Sequence, residues 1–413
     1  MMNFIRTYVI LFLFFLSYNL LYSNRLKLGI DVLLEQDFDI VKNKKILLLT
    51  NYTGRNSEGI LTVEILKANL KENILGLLTP EHGFFSAIPA GKSVPNDTLF
   101  GLPVYSLYGN IKMPNKKILT DCDAIIIDIQ DIGIRSYTYI STIIKTLETA
   151  IDNNIEVIIL DRPNPLGGEI VDGNVVEKEY ESFVSCLPIP YIHGCTIAEL
   201  AFIANEEGWI NKNKKANLRI VKMKNWYRWM VWEDTKLSWY PTSPNIPTID
   251  AVRGAATLGA FGELGIFSIG IGTSLPFQYI GSPYFDYEKI LNNIDITKLK
   301  GLKLIPIQYY PFFGMYKDKI CNGFLLKFEP DNNFKPYTFG FFIALAIKKV
   351  YPEVFNEKRI SENAKNMFIK VTGNNLIFNY LFDSNSYEKK LVKILNKGLN
   401  EFLSLRKKYL LYD

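Results

Sequence analysis

Histidine is almost missing from this chain. Its 413 residues contain two, His82 and His193, and four cysteines, Cys122, Cys186, Cys195 and Cys321. Neither histidine lies in a tight ligand spacing such as H-x-x-x-H, so there is no zinc signature. The cysteine spacing fits no disulfide scaffold, and free, half-buried thiols are expected. Glycine-rich phosphate cradles are missing too. No G-x-G-x-x-G follows the first apolar strand, which argues against a nicotinamide cofactor, and no GxxxxGK[ST] stands there. No G-x-S-x-G elbow presents a serine nucleophile. Charge of either sign is scarcely in excess: 47 Lys and Arg face 42 Asp and Glu, a formal +5. Spread along the chain, it is too weak a field for nucleic acid. The apolar run from Tyr8 to Leu16, preceded by Arg6, reads as a signal peptide over residues 1–23, with an uncleaved anchor as the alternative. The expectation is an exported chain, periplasmic or extracellular, with no stable membrane insertion after cleavage.

What is present is apolar and periodic. At 48% hydrophobic and 22% charged residues the chain buries a large core. "KKILLLTN", "ILGLLT", "DAIIIDIQ" and "EVIILD" read as four continuous apolar strands. Helical stretches alternate with them, including "EGILTVEILKANLKEN" and "YISTIIKTLETAIDNN". Apolar strands separated by amphipathic helices predict an α/β fold: a doubly wound parallel sheet covered on both faces. After Asp250 the pattern turns glycine-rich, then helical at "FGFFIALAIKKVYPEVF". A second, smaller α+β domain is expected over 251–413, following a first domain over 27–250. At the end, Leu391, Ile394, Leu395, Leu399, Phe402 and Leu403 share one helical side.

In an open parallel sheet, ligands sit outside the carboxyl ends of the strands. There the first strand delivers Asn51 and Thr53, and the second Glu81 and His82. The third delivers Asp128, Gln130, Asp131, Arg135, Tyr137 and Tyr139; the fourth delivers Asp161, Arg162 and Asn164. Each has a plainer reading: Asp131 as a helix cap, the arginines as partners of the aspartates, Asn164 as a turn residue, His193 as a structural histidine. Four polar tips on one rim nevertheless point to a site. Carboxylates, tyrosines, arginines and asparagines, with Trp226, Trp229, Trp232 and Trp239 nearby, are the side chains of a sugar site. A metal site built from His82, His193 and Asp128 is a further reading.

The motifs "TPEHGF", "GLPVYSLYG", "DIQDIGIRSYTYISTI", "LDRPNPLGG", "PIPYIHGCTIAEL", "SPNIPT" and the terminal "YLLY" occur in this order. Together they resemble the exo-β-N-acetylmuramidases of the NamZ type, formerly a domain of unknown function, over roughly residues 27–413. The resemblance implies a Rossmann-like catalytic domain and a smaller domain that helps enclose the site. It also implies release of N-acetylmuramic acid from non-reducing ends of peptidoglycan fragments, with no cofactor; a glycan or muropeptide is the expected partner. Glu81 takes the place of the family's acid, with Asp128 or Glu263 as the second carboxylate. Asn51, His82, Asp131, Arg135, Tyr137, Asp161, Arg162, Asn164, His193 and Asn245 are the expected substrate-binding residues. The chain departs from the family at Phe85, Ala87, Ile271 and Leu275, where relatives carry polar side chains. These departures leave a cell-wall sugar-binding protein on a disabled hydrolase fold as the alternative.

Overall fold

The computed structural model describes residues 25–413, apart from 211–213, 330, 332 and 384–387. The signal-peptide expectation lies outside the described residues. The strands of the first domain are β1 (Ile46–Thr50), β2 (Ile74–Thr79), β3 (Asp97–Leu99), β4 (Leu102–Ser106), β5 (Ala124–Asp128), β6 (Glu156–Leu160), β7 (Asp172–Val175), β8 (Pro190–Ile192) and β9 (Leu218–Val221). Seven form one sheet, ordered β3-β4-β2-β1-β5-β6-β9, while β7 and β8 make a separate ribbon. Every pair in the large sheet is parallel except β3–β4.

The side-chain alternation explains the layering. Leu47, Leu49, Ile125, Ile127, Val157 and Ile159 pack on one face, against helices Tyr139–Asn153 and Ile197–Glu206. Ile46, Leu48, Ile126, Ile158 and Leu160 pack on the other, against helices Gly29–Glu35 and Thr62–Leu70. Each such side chain contributes roughly 2 kcal/mol when fully buried. Burial on both faces therefore outweighs whatever strand propensity five residues carry. The chain builds outward from β1 through β2 to β4, then returns to build β5, β6 and β9 on the other side. The order reverses between β1 and β5, which opens a crevice at their carboxyl ends.

The second domain is smaller. Strands β10 (Tyr279–Ser282), β11 (Leu302–Tyr309) and β12 (Cys321–Phe328) form an antiparallel sheet in the order β10-β12-β11. Helices Ile249–Leu258, Pro336–Val350, Glu362–Thr372 and Asn375–Phe382 share its core. Ile132, Ile134, Tyr191 and Ile192 of the first domain belong to the same core, so the junction is packed rather than hinged.

The carboxy-terminal apolar side is divided where one continuous stripe was expected. Helix Glu388–Leu395 sends Leu391 and Leu395 into the second core, and helix Leu399–Arg406 sends Phe402 into the first. Gly398 separates them at φ 78°, a left-handed conformation that glycine adopts without strain. The last residues then cross the first domain: the Tyr412 phenol donates to Asp161 at 2.6 Å, and the Arg228 amide donates to the Asp413 carbonyl at 2.9 Å. Among the described residues no helix is long and apolar enough to cross a membrane, and all four cysteines are free.

Candidate active site

A cavity of about 400 Å³ lies between the two domains. Glu81, His82 and Tyr137 reach it from the first domain, Glu263 and Phe277 from the second, and Asn245 from the linking loop.

Glu81 and His82 come directly off β2. A run of turns carries the chain away from the strand, with His82 and Gly83 both at φ 72°. The left-handed region is uncommon for a histidine. His82 is held there by its own ring, whose Nδ1 lies 2.7 Å from the Ile88 carbonyl. Facing a carbonyl, Nδ1 must carry a proton, so in the neutral ring Nε2 is the acceptor.

Glu81 is 6% exposed, and both its oxygens are engaged. Oε1 accepts the Gly91 amide at 2.9 Å, and Oε2 accepts the Thr138 hydroxyl at 2.6 Å. Thr138 occupies the cap position of helix Tyr139–Asn153, but its hydroxyl does not cap that helix and goes to Glu81 instead. The carboxylate therefore sits at a helix amino terminus, where the backbone dipole favours negative charge. Tyr108, just past β4, stands beside Glu81; burial first, and then the Glu81 charge, push its phenol above the usual range.

Glu263 has different surroundings. It ends the short 3-10 turn Gly259–Glu263, and it is an exposed residue where Glu81 is buried. Protein fills enough of the space around it that dehydration raises its carboxyl above the ordinary range.

Behind the cavity, Asn51 donates to the Tyr139 hydroxyl at 2.8 Å, and Tyr139 donates to the Thr242 carbonyl at 2.7 Å. Asn51 is thus a support for the loop that carries Asn245, and it does not line the cavity. The other strand-tip residues are also drawn away from it, which corrects the expectation of a single shared rim. Asp128 is paired with Arg162 through Nε at 2.5 Å and Nη2 at 3.1 Å, and it also accepts the Thr62 hydroxyl. Its place is under the sheet crevice, not beside Glu81. Asp161 accepts Tyr412, the Thr196 hydroxyl at 2.8 Å and the Ala198 amide at 3.2 Å; burial raises it to about 7. Asn164 forms a turn with the Leu166 amide and donates to the Cys195 carbonyl.

Arg135 is 1% exposed and clasps backbone carbonyls of both domains. Asp131 accepts the Gly133 amide at 2.8 Å, and burial raises it to about 7. His193 Nε2 lies 3.9 Å from it. The Cys195 amide donates to His193 Nδ1, so the ring is neutral there. Burial, then Arg406 and Arg135, lower His193 to about 3. These residues were expected to touch substrate because a sequence shows that polar side chains follow a strand, not which way they turn.

Three further expectations need correction. None of the four tryptophans lines the cavity: Trp226 and Trp232 are core, Trp229 is exposed, and Trp239 donates to the Ile246 carbonyl. The aromatic lining is Tyr108, Tyr137, Tyr191 and Phe277. His82, His193 and Asp128 are not brought together, and among the described residues no three His, Cys, Asp or Glu side chains form a metal cluster. Phe85, Ala87, Ile271 and Leu275 stand off the cavity lining, so their apolar character takes no charge from it. Conversely, Thr138 and Tyr108 were missed. Thr138 was legible as the residue before a helix start; Tyr108 follows a strand that the sequence reading passed over.

A family model described as "Exo-beta-N-acetylmuramidase NamZ, N-terminal" matches residues 46–250, and its C-terminal counterpart matches 256–412. The chain belongs to the NamZ family. It is 36% identical over 390 residues to the peptidoglycan β-N-acetylmuramidase NamZ of Bacillus subtilis (strain 168), covering 94% of this chain and 92% of that one. Two crystal structures of DUF1343 family proteins from Bacteroides fragilis NCTC 9343 share the fold. One has a TM-score of 0.88 at 37% identity, covering 94% of this chain and all of the other. The second has a TM-score of 0.73 at 25% identity, covering 94% and 99%.

Proposed function

We propose that the protein is an exo-acting glycoside hydrolase that releases N-acetylmuramic acid from non-reducing ends of peptidoglycan fragments. The observation that carries this reading is one cavity receiving Glu81 from the first domain and Glu263 from the second. Family membership supplies the substrate class, and the apolar segment at residues 8–16 supports export as its setting.

Glycosidic cleavage needs a proton donor at the leaving oxygen and a carboxylate for the oxocarbenium-like transition state or its water. Two carboxyls in unlike surroundings divide these roles. Glu81 receives donors on both oxygens beside a helix amino terminus, an arrangement that serves the accepting carboxylate. Glu263, raised by dehydration, serves as the proton donor. This assignment exchanges the roles that the sequence alone suggested. In this reading His82 accepts from and Asn245 donates to sugar hydroxyls and amides, with the half-buried Tyr137 against the ring.

The test is hydrolysis of a chromogenic N-acetylmuramic acid glycoside, with the N-acetylglucosamine glycoside as control. Glu81→Gln and Glu263→Gln are each expected to lower kcat by about 10²–10⁴-fold. Adding an external nucleophile such as azide separates a base from a nucleophile at Glu81. Turnover by Glu81→Gln at the wild-type rate would remove it from the chemistry.

A further inference from the structure

We infer that Tyr108 is a positioning residue for Glu81: its hydroxyl is the third donor to a carboxylate that the Gly91 amide and the Thr138 hydroxyl already hold, and it confines Glu81 to one remaining acceptor site. This deepens the glycosidase reading and rests on it.

The strand register brings the two side chains together. β2 and β4 are parallel neighbours, with Thr79 opposite Ser106. Glu81 and Tyr108 each stand two residues further on, and both line the cavity of the candidate active site. The Leu107 amide donates to the Thr79 carbonyl at 2.8 Å, which carries the pairing one residue past β4. Leu107 is fully buried in the core of the first domain. The half-buried Tyr108 after it is the side chain left to reach the cavity.

The backbone of Tyr108 is fixed before any substrate arrives. Ser106 closes a tight turn around it, its hydroxyl accepting the Tyr108 amide at 3.2 Å and donating to the Tyr108 carbonyl at 3.1 Å. The Ser106 amide donates to Asn96 Oδ1 at 2.9 Å, which pins the loop that supplies Gly91 to the same turn. The Tyr108 ring packs on Phe183, with centroids 6.1 Å apart. In turn, the Phe183 carbonyl accepts the Ser141 hydroxyl of helix Tyr139–Asn153 at 2.6 Å. Tyr108 is thus braced against the same loop and the same helix that supply the other two donors.

At its free end the phenol meets the Glu81 carboxylate and the Gly91 amide. Burial, then the Glu81 charge, raise the phenol, so it stays protonated and donates at neutral pH. An ionised carboxylate offers about four acceptor sites. Gly91 at 2.9 Å and Thr138 at 2.6 Å occupy two of them, and Tyr108 occupies a third. The last is left for the attacking water or the anomeric carbon. A group that must act at one point in the transition state gains from having no other direction in which to turn.

The experiment reads kcat and KM on two substrates. One is the dinitrophenyl glycoside of N-acetylmuramic acid, whose leaving group departs without a proton. The other is the disaccharide of N-acetylmuramic acid and N-acetylglucosamine. Tyr108→Phe keeps the ring on Phe183 and tests the hydroxyl alone. It is expected to lower kcat about 10- to 100-fold on both, the scale of one hydrogen bond to a charged group, with KM within about twofold. In a Glu81→Ala background, read by its residual rate on the dinitrophenyl glycoside, Tyr108→Phe should have no further effect. Residues that act as a unit do not add.

A Tyr108→Phe variant at the wild-type rate, a change confined to KM, or the same fold-loss with and without Glu81 overturns the positioning role and leaves the hydrolase reading intact. Wild-type protein inert on both substrates refutes the hydrolase reading, and the positioning role falls with it.

Discussion

Arg135 joins the two domains at one point, and replacing it with methionine tests how the cavity is held open. The guanidinium donates to the carbonyls of Asn174 at 2.7 Å, Ile189 at 2.8 Å, Val371 at 3.0 Å and Thr372 at 2.8 Å, and to the Ser185 hydroxyl at 3.2 Å. Val371 and Thr372 end helix Glu362–Thr372, whose last carbonyls have no partner within the helix and form its negative pole. Burial lowers the guanidinium to about 10, so it remains charged at neutral pH. A hydrogen bond to a charged donor contributes about 2 kcal/mol. The four bonds to carbonyls, the Ser185 contact being the longest and weakest of the five, are offset by the several kcal/mol of desolvation that the variant no longer carries. The net loss is about 4 kcal/mol. Arg135→Lys keeps the charge but not the fork, and should lose about half as much. Because Met367 and Val371 of that helix line the cavity, KM should rise with the loss of stability. Urea denaturation at pH 7, read at constant m-value, measures it. A methionine variant within about 1 kcal/mol of wild type would refute the argument, as would a lysine variant indistinguishable from arginine.

Two other outcomes are expected. His193 is held neutral, lowered to about 3 from an unfolded value of 6.5. Between those values the unfolded chain binds a proton that the native state refuses, so the contribution of His193 is complete above pH 6.5 and is lost as pH falls toward 3. The stability difference between wild type and His193→Gln should therefore grow by up to about 1.4 kcal/mol per pH unit from pH 4.5 to 6 and level off above 7. Parallel curves would show that His193 titrates normally. Tyr412→Phe removes the donor to Asp161 and the acceptor of the Met223 amide. It should cost about 1–3 kcal/mol in chemical denaturation and raise Asp161 above its present value near 7. Unchanged stability would mean that the terminal tail is not anchored there.

Much of the frame could be read from the sequence because it follows from local pattern. β1, β5 and β6 are apolar on both faces, and only a sheet covered on both sides satisfies such strands. Helix Tyr139–Asn153 ends at Asn154 in a left-handed cap (φ 53°), close to where its apolar period stops. The half-buried strands β4 and β9 were passed over. Their patterns of mixed burial give neither a continuous apolar run nor a clean alternation.

By itself, then, the sequence determined a doubly wound layer, the polar character of its strand ends, and Glu81-His82-Gly83 as the abrupt exit from β2. Only the tertiary structure decided which polar groups are left to act. Asp128 finds Arg162, 34 residues away, and Arg135 finds the end of a helix 236 and 237 residues away. Buried charges must be matched by whatever partner the fold brings near, and local pattern carries no record of those distant partners. Glu81 and Glu263 meet at one cavity because folding sets the exit of β2 against the turn Gly259–Glu263, and Thr138 and Gly91, distant in sequence, arrive as donors to Glu81.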